Sequence, residues 1–382
     1  MEAPLVIKTF AGLESLLAEE VTALGASGAK AGKRAVYANG DLKTVYRINL
    51  CSRYALRVLQ EVHRFSAPDE KALYAGVQEV EWNQFLPVDG SLAVDAVAYR
   101  SNMDHTQYIA LKTKDAIVDQ FRDAYGKRPN VDIQRPTVRI HVHLVENNAT
   151  VSLDSSGDSL HRRGYREEPA GAPLSEVLAA GLIGLTGWKG DRPLYDPFCG
   201  SGTLLTEAVL LARRIAPGRF REGFGFQRWM NFDAGLWSAV REAALAQELP
   251  ASPVPVFGSD RSSVALSSAK SNLRTAGMER DIILRTGEFE QLEPPAEGCL
   301  LVMNPPYGER IAHEDIQRLY KGIGDTLKRQ YAGSEAWILS ANREAEKQIG
   351  LRPSKRIQVF NGPIECRFLK FELYRGSRRG GE

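Results

Sequence analysis

The stretch Pro193-Leu-Tyr-Asp-Pro-Phe-Cys-Gly-Ser-Gly-Thr-Leu-Leu-Thr-Glu-Ala-Val-Leu-Leu-Ala-Arg-Arg214 decides the fold. A short apolar run, "PLYDPF" (193–198), ends at an acid. Two glycines, Gly200 and Gly202, follow, and then apolar residues recur at helical spacing over 203–214. Strand, glycine turn and helix in that order are the opening unit of a parallel α/β sheet. The glycines let the backbone come close to a ligand at the strand's carboxyl end. Leu205 stands where the dinucleotide fingerprint G-x-G-x-x-G needs its third glycine, and no Gly-Lys-Ser/Thr ending makes a Walker A loop. By itself "GSG" favours the reading of a plain β–α turn.

The pattern repeats outward from this unit. A helix over 175–186 precedes it. Strand 254–260 leads to helix 262–276, strand 281–289 leads to strand 299–304, and helix 314–331 leads to strand 335–341. Alternating apolar strands and helices predict a doubly wound, mostly parallel sheet. The terminal "RIQVFNGPIECRFLKFELYR" predicts an antiparallel hairpin at one edge, with Asn361-Gly362 at its turn.

Ligands of such sheets sit at the strands' carboxyl ends, so the residues there carry the chemistry. The first strand ends in Asp196-Pro197, with Gly200 and Gly202 beyond. An acidic loop without pyrophosphate features suits a ligand bearing both an ammonium and a carboxylate, such as the methionine part of S-adenosylmethionine. The second strand ends in Asp260, which can accept both ribose hydroxyl protons or cap the helix after it. The third ends in Glu288-Phe289, suited to an adenine amine and ring or to an exposed loop. The fourth ends in Asn304-Pro305-Pro306-Tyr307. The side-chain carbonyl of Asn304 and the backbone carbonyl of Pro305 can grip the two hydrogens of a nucleobase amine. That grip favours a tetrahedral nitrogen whose lone pair points at an incoming methyl group. The prolines hold the backbone rigid, and Tyr307 offers a face on which a flipped base can stack. A sulfonium donor is already activated, and no charged base stands in the motif.

The N-terminal two-fifths carry none of this machinery. Residues 1–60 read as a small α+β unit, with a strand from Leu5 to Thr9 and a helix whose face holds Leu13, Leu16, Leu17, Val21 and Leu24. A second α+β unit over 65–155 contains the alternating strand "GSLAVDAVAY", a helix over 104–125, and a hairpin. In that hairpin Val138, Ile140, Val142 and Leu144 share one face, Asn147-Asn148 make the turn, and Arg139, His141 and His143 share the other face. Lys112, Lys114, Lys127, Arg128 and Arg139 are the candidate phosphate contacts, against the plainer reading of a solvated surface. His141 and His143 lack a third ligand nearby in sequence. The long connection 215–252, rich in Phe, Trp and Arg, is expected to cap a sheet edge rather than touch RNA.

The 382 residues carry a net charge of +2, so any polyanion site must be a local patch. Four dispersed cysteines without a CxxC argue against a disulfide framework or zinc site and point to a reducing cytoplasm. No metal is expected. No apolar run approaches a membrane span, and the N-terminus lacks a signal-peptide pattern.

"DPFCGSGTLLTEA" with "MNPPYGER" resembles the class I methyltransferases that act on exocyclic base amines. "SLHRRGYR", "APLSEVLAAGLIGLTGW" and "NGPIECRFLKFELY" resemble the THUMP-domain methyltransferases of the bacterial large-subunit rRNA guanine-N2 type. "LVIKTFAGLESLLAEEVTALG" and "YRSNMDHTQYIALKTKDAIVD" match that family's N-terminal and THUMP regions. The resemblance implies an α/β fold: a Rossmann-like class I methyltransferase domain (159–382) preceded by α+β ferredoxin-like (1–62) and THUMP RNA-binding (63–158) domains. It implies S-adenosylmethionine held by Asp196, Pro197, Gly200, Gly202, Asp260, Glu288, Phe289 and Asn304, with Arg163, Gly164 and Tyr165 closing the site. Asn304 to Tyr307 would form the catalytic loop. Glu288 departs from the family's more usual Asp. The implied substrate is a guanosine in RNA, 23S rRNA first and tRNA second. The motif itself leaves adenine N6 open, and a non-catalytic RNA-binding assembly factor is the alternative of another class.

Overall fold

Strict alternation along Val138–Val145 buries Val138, Ile140, Val142 and Leu144 and leaves Arg139, His141 and His143 half-exposed. Such a strand must lie in a sheet with one covered face. The computed structural model, which describes residues 2–166, 174–306 and 313–374, places it in the first of two compact units, residues up to Thr9, Leu17–Arg162 and Arg221–Ala243.

That unit runs β1 (Ala3–Lys8), α1 (Glu14–Ala23), β2 (Ser27–Ala31), β3 (Ala35–Gly40), α2 (Leu42–Cys51), β4 (Arg57–Ser66), α3 (Glu70–Gln78), β5 (Ser91–Tyr99), α4 (Thr106–Tyr125), β6 (Asn130–Val131), β7 (Val138–Val145) and β8 (Asn148–Asp154). The strands form one eight-stranded sheet in the order β2-β3-β1-β4-β8-β7-β5-β6. The two N-terminal regions therefore share a single sheet, joined where β4 pairs antiparallel with β8. The β7–β8 turn is one residue earlier than expected. Glu146 and Asn147 take positive φ (48° and 63°) and Asn148 already pairs with Val145. Two successive left-handed residues make the turn whose twist matches the strands.

The second unit comprises Phe10–Leu16, Arg163–Phe220 and the chain from Ala244 onward. It contains α5 (Glu176–Thr186), β9 (Leu194–Asp196) and α6 (Thr203–Ala212). After α7 (Ala234–Leu245) come β10 (Val256–Asp260), α8 (Ser263–Thr275), β11 (Ile282–Thr286), β12 (Leu300–Met303), α9 (His313–Gln330), β13 (Glu335–Ser340), α10 (Arg343–Gln348), β14 (Lys355–Asn361) and β15 (Ile364–Glu372). The sheet order is β11-β10-β9-β12-β13-β15-β14. The first five strands are parallel, and the terminal hairpin adds β15 and β14 antiparallel. Asn361 pairs with Ile364, so the hairpin turn is Gly362-Pro363, again one residue off the expected position. No helix among the described residues is long and apolar enough to cross a membrane.

The connection after α6 does pack, but not on the edge of the parallel sheet. Phe224, Phe226 and Trp237 are buried in the first unit around Tyr46 of α2. Tyr46 stacks on Phe226 at 4.3 Å, and Trp237 meets Phe226 edge-on at 5.1 Å. The Tyr46 hydroxyl accepts from the Asp233 amide at 3.0 Å. Aromatic pairs in these geometries add about 0.5–1.5 kcal/mol each beyond their burial, which explains why this loop is aromatic.

The glycine missing from α6 is made good on the neighbouring strand. A Cβ at Gly258 of β10 would stand 2.3 Å from Leu205 Cδ1 and 2.9 Å from Leu284 Cδ2. Leu205 of α6 thus fills the space that Gly258 leaves, and helix and sheet approach closely with the small and large residues exchanged. Gly258→Ala alone is expected to cost roughly 1–3 kcal/mol, and Leu205→Ala alone about 2–5 kcal/mol. The double variant should lose less than the sum by about 0.5 kcal/mol or more, because the new methyl occupies vacated space. Urea unfolding of the four proteins checks this; strict additivity would disprove the contact.

Candidate active site

The parallel sheet winds from β9 outward to β11, then returns to place β12 on the other side of β9. The strand order reverses there, and the crevice between the carboxyl ends of β9 and β12 is where such sheets bind ligands. Asp196, Asp260 and Asn304 stand at the ends of β9, β10 and β12.

The loop after β9 is fixed by its neighbour. Cys199 donates its amide to the Ser259 carbonyl at 3.0 Å, and Gly200 donates its amide to Asp260 Oδ2 at 3.0 Å. Gly200 and Gly202 take φ of 53° and 83°, which side-chain-bearing residues adopt at a cost. A Cβ at Gly200 would meet nothing within 4 Å, so this side of the loop is open. Gly202 begins α6 without a side-chain cap, leaving first-turn amides as donors. Pro197 is buried within the turn.

Asp260 accepts from two amides, Gly200 at Oδ2 and Ser262 at Oδ1 (2.9 Å). The cap of α8 is the Ser262 hydroxyl, which accepts from the Ala265 amide at 3.2 Å. Capping, offered by the sequence as an alternative for Asp260, therefore belongs to Ser262. Asp260 instead ties the β9 and β10 loops together.

Asp196 is almost wholly buried, with Oδ1 accepting from the Phe198 amide at 3.0 Å. Burial pushes its carboxyl up to about 8, and the nearby negative charge of Asp260 acts in the same direction. Asn304 presents a different unsatisfied group: its Oδ1 is buried with no hydrogen-bond partner among the described residues. Pro305 is buried and Pro306 exposed. Tyr307 lies outside the described residues.

The remaining sequence-predicted residues divide. Glu288 is exposed and accepts from Gln291 Nε2 at 2.8 Å. The Phe289 ring is in the core, stacked on Tyr331 at 5.4 Å and tilted against Phe198 at 5.9 Å. Arg163 is buried, its Nε 3.5 Å from Glu207 Oε1 of α6, and the Tyr165 hydroxyl donates to the same oxygen at 3.1 Å. Arg166, which the sequence reading did not single out, donates to Thr203 Oγ1 at 2.7 Å and pairs with Glu176 at 3.4 Å. This double ion pair anchors residues 163–166 to the start of α5 and to α6, the helix that follows the glycine loop. No residue spacing announces it, because the partners are 10 and 44 residues away.

The candidate RNA contacts do not form one patch. Lys112 and Lys114 ride on α4, with the Lys112 ammonium 5.3 Å from the Tyr74 ring centre and Lys114 beside Asp115. Lys127 and Arg128 are exposed beyond the end of α4. Arg139 is on the opposite face of the sheet from α4, donating to Asp95 at 3.0 Å and to the Ile133 carbonyl. Among the described residues no three His, Cys, Asp or Glu gather as a metal site.

Residues 163–370 match the family model of the RMKL-like methyltransferase domain. The chain belongs to that family. Residues 67–154 match the THUMP domain and residues 4–59 the RlmL ferredoxin-like domain. The chain is 41% identical to a candidate RNA methyltransferase of Synechocystis, over 95% of both chains. It is 42% identical to the ribosomal RNA large subunit methyltransferase K/L of Syntrophotalea carbinolica, covering 98% of this chain and 54% of the relative. It thus spans about half the length of the K/L relatives it matches. Among solved structures, SMU.472, a methyltransferase candidate complexed with SAH, superposes with a TM-score of 0.90 at 28% identity, covering 98% of this chain and 99% of that one. The chain and SMU.472 therefore share one fold over nearly the whole of both.

Asp196 gives this crevice a pH signature. In the folded protein it keeps its proton up to about pH 8, whereas the unfolded chain releases it near the ordinary aspartate value of 3.8. Between those values the folded state holds the extra proton, so this group makes stability fall as pH rises. Asp196→Asn preserves the acceptor for Phe198 and removes the titration. The variant's advantage in unfolding free energy over the wild type should grow from pH 5 to pH 8 and level off above. A difference independent of pH would show that Asp196 is already ionised.

Proposed function

We propose that the protein is an S-adenosylmethionine-dependent RNA methyltransferase that modifies the exocyclic N2 amine of a guanosine, in 23S rRNA. The observation that carries this reading is the buried Asn304 Oδ1, without a partner among the described residues, at the end of β12 across the switch point from the glycine loop of β9. Buried acceptors nearly always find a donor. One left open in a crevice is suited to a donor from the substrate, and an amine supplies it.

The residues fit the cofactor. Uncapped first-turn amides of α6 suit a carboxylate. The buried Asp196 carboxyl suits an ammonium, and the open side of Gly200 admits a close ligand. Asp260 keeps lone pairs on both oxygens for ribose hydroxyls while holding the loop. When bound, the cofactor supplies an electrophilic methyl on a sulfonium. Asn304 Oδ1 and the Pro305 carbonyl then hold the amine hydrogens so that the nitrogen lone pair faces that methyl. On taking that methyl group the amine nitrogen would release one proton, while the sulfonium would leave as a neutral thioether. Burial of the acceptors strengthens their grip relative to water. The related THUMP and K/L proteins support RNA, and rRNA in particular, as the substrate.

The deciding experiment incubates the protein with labelled S-adenosylmethionine and unmodified total RNA, then identifies the labelled nucleoside and its RNA. N2-methylguanosine in 23S rRNA is expected. N6-methyladenosine would move the reaction to adenine, and label in tRNA would move the substrate. Asn304→Ala should lower transfer by about 10²-fold or more, in line with losing one preorganised hydrogen-bonding group. Its affinity for S-adenosylhomocysteine should hold, because Asn304 acts on the amine.

A further inference from the structure

One face of the eight-stranded sheet carries α3 and α4 on its THUMP half. The other carries Tyr37, Val6, Leu59, Asp154, Ser152, His141 and Asp95, which register places side by side from β3 to β5; Val6, Leu59, Asp154 and Ser152 along its middle are buried, so the accessible groups lie at its two sides. This second face is curled. Lys33, in the β2–β3 turn, puts its ammonium 5.9 Å from the ring centre of Tyr99, the last residue of β5. Four strands lie between β3 and β5. In a flat sheet those strands would be about 24 Å apart at ~4.8 Å per step. Only a sheet bent toward this face brings Lys33 to Tyr99, so the face is concave.

Its chemistry is specific. Tyr37 and Tyr99 are 45% and 52% exposed, large values for aromatic residues inside strands. Arg57, Arg64 and Arg139 are paired with Asp154, Glu61 and Asp95. Lys8, Lys33, Arg100, His141 and His143 share the face or its rim. None of these five has a carboxylate partner within ion-pair distance among the described residues. Arg100 stands 5.2 Å from the Tyr99 ring. His141 and His143 are held neutral near pH 7, so Lys8, Lys33 and Arg100 are the surplus cations, and they repel one another. Burial lowers the affinity of Lys8, His141 and His143 for protons, and the charge of Lys8 lowers that of both histidines further. A bound anion relieves that repulsion.

We propose that this concave strand face binds an unpaired segment of the substrate RNA, with bases stacked on Tyr99 and Tyr37 and phosphates against Lys33, Arg100 and Lys8. The inference rests on the RNA reading above. An exposed aromatic flanked by cations is the platform that single strands use, because every base has a face to stack while the backbone follows the charge. A double helix offers no free base faces, and its breadth suits a curved groove poorly. The face occupied is thus the one opposite α4, and Lys112 and Lys114 belong to the other.

The test uses the full chain and a fluorescent 12-nucleotide unpaired RNA, with the same sequence in a duplex for comparison. Tyr99→Ala should weaken single-strand binding about tenfold, within the range for one lost stack, and Tyr99→Phe should restore it. Lys33→Gln should reduce the slope of log affinity against log salt by about one phosphate contact. Affinity for S-adenosylhomocysteine reports on folding in each variant. Preference for the duplex, or loss of binding in Lys112→Glu/Lys114→Glu but not in the Tyr99 and Lys33 variants, would overturn the proposal. The two readings separate cleanly. A wild type that binds the single strand but transfers no methyl group to RNA defeats the enzymatic reading alone. Variants that methylate and bind like the wild type defeat this one alone.

Discussion

The hydrogen bond from the Gly200 amide to Asp260 Oδ2 governs the catalytic unit. It crosses from the loop of β9 to the end of β10 and sets the path of a glycine turn that has no side chains to hold it. The other carboxylate oxygen is spent on the Ser262 amide, so the acid cannot swing away without losing both. Charge-assisted bonds of this kind are worth about twice their neutral counterparts. The start of α6 and the open side of Gly200 follow from that turn. Burial keeps Asp196 protonated, and the charge of this carboxylate at the adjacent strand end acts in the same direction. One residue thus shapes the loop and adds to the effect of burial on its neighbour.

The alternation of strand and helix made the parallel sheet legible, and the motif at Asn304 made its carboxyl edge legible. Local patterns were read well because they are local: β7 alternates residue by residue, and glycines mark the turn before α6. The errors have physical sources. Both hairpin turns were placed one residue off because Asn can occupy either a left-handed turn position or a paired strand end, and only the register decides. Asp260 and Ser262 were interchangeable caps on paper, and only the backbone geometry assigns the role. The third glycine appeared to be absent because its work is done by Gly258, on a different strand, against Leu205. The aromatic connection after α6 could not be assigned to its sheet, since Tyr46 and Phe226 are 180 residues apart in the chain and meet only in the fold.

The buried charges around α6 show what such a network is for. Arg163 and Glu207 are both nearly inaccessible, with Arg166 and Glu176 close by. Buried ion pairs seldom stabilise a fold relative to apolar residues of the same volume, because desolvation offsets the attraction. Their value here lies in orientation: Arg166 Nη2 donates to Thr203 Oγ1 at 2.7 Å and to the Leu174 carbonyl at 3.0 Å. Those two bonds tie the chain ahead of α5 to the first residue of α6. An apolar contact could have bound the segment as tightly, but with less definition of where Thr203 lies.

The two ends of the crevice are unsatisfied in complementary ways. At β9 a carboxyl is kept neutral by burial, so it lacks a cation. At β12 a buried carbonyl oxygen has no donor among the described residues. A buried polar group without a partner costs about 1–3 kcal/mol, and a fold tolerates that cost where a ligand recovers it. A carboxylate ligand alone would satisfy neither end, and a metal ion would suit Asp196 but leave Asn304 with no hydrogen to accept. A pair of ligands, one bringing an ammonium to β9 and the other an amine to β12, satisfies both. The reacting groups of those ligands would then be held in the gap between adjacent parallel strands. The spacing of β9 and β12 is set by their ladder, from Leu300 opposite Leu194 to Leu301 opposite Tyr195. The distance between donor and acceptor sites is therefore fixed by backbone hydrogen bonds rather than by side-chain conformers, the most rigid ruler that a sheet provides.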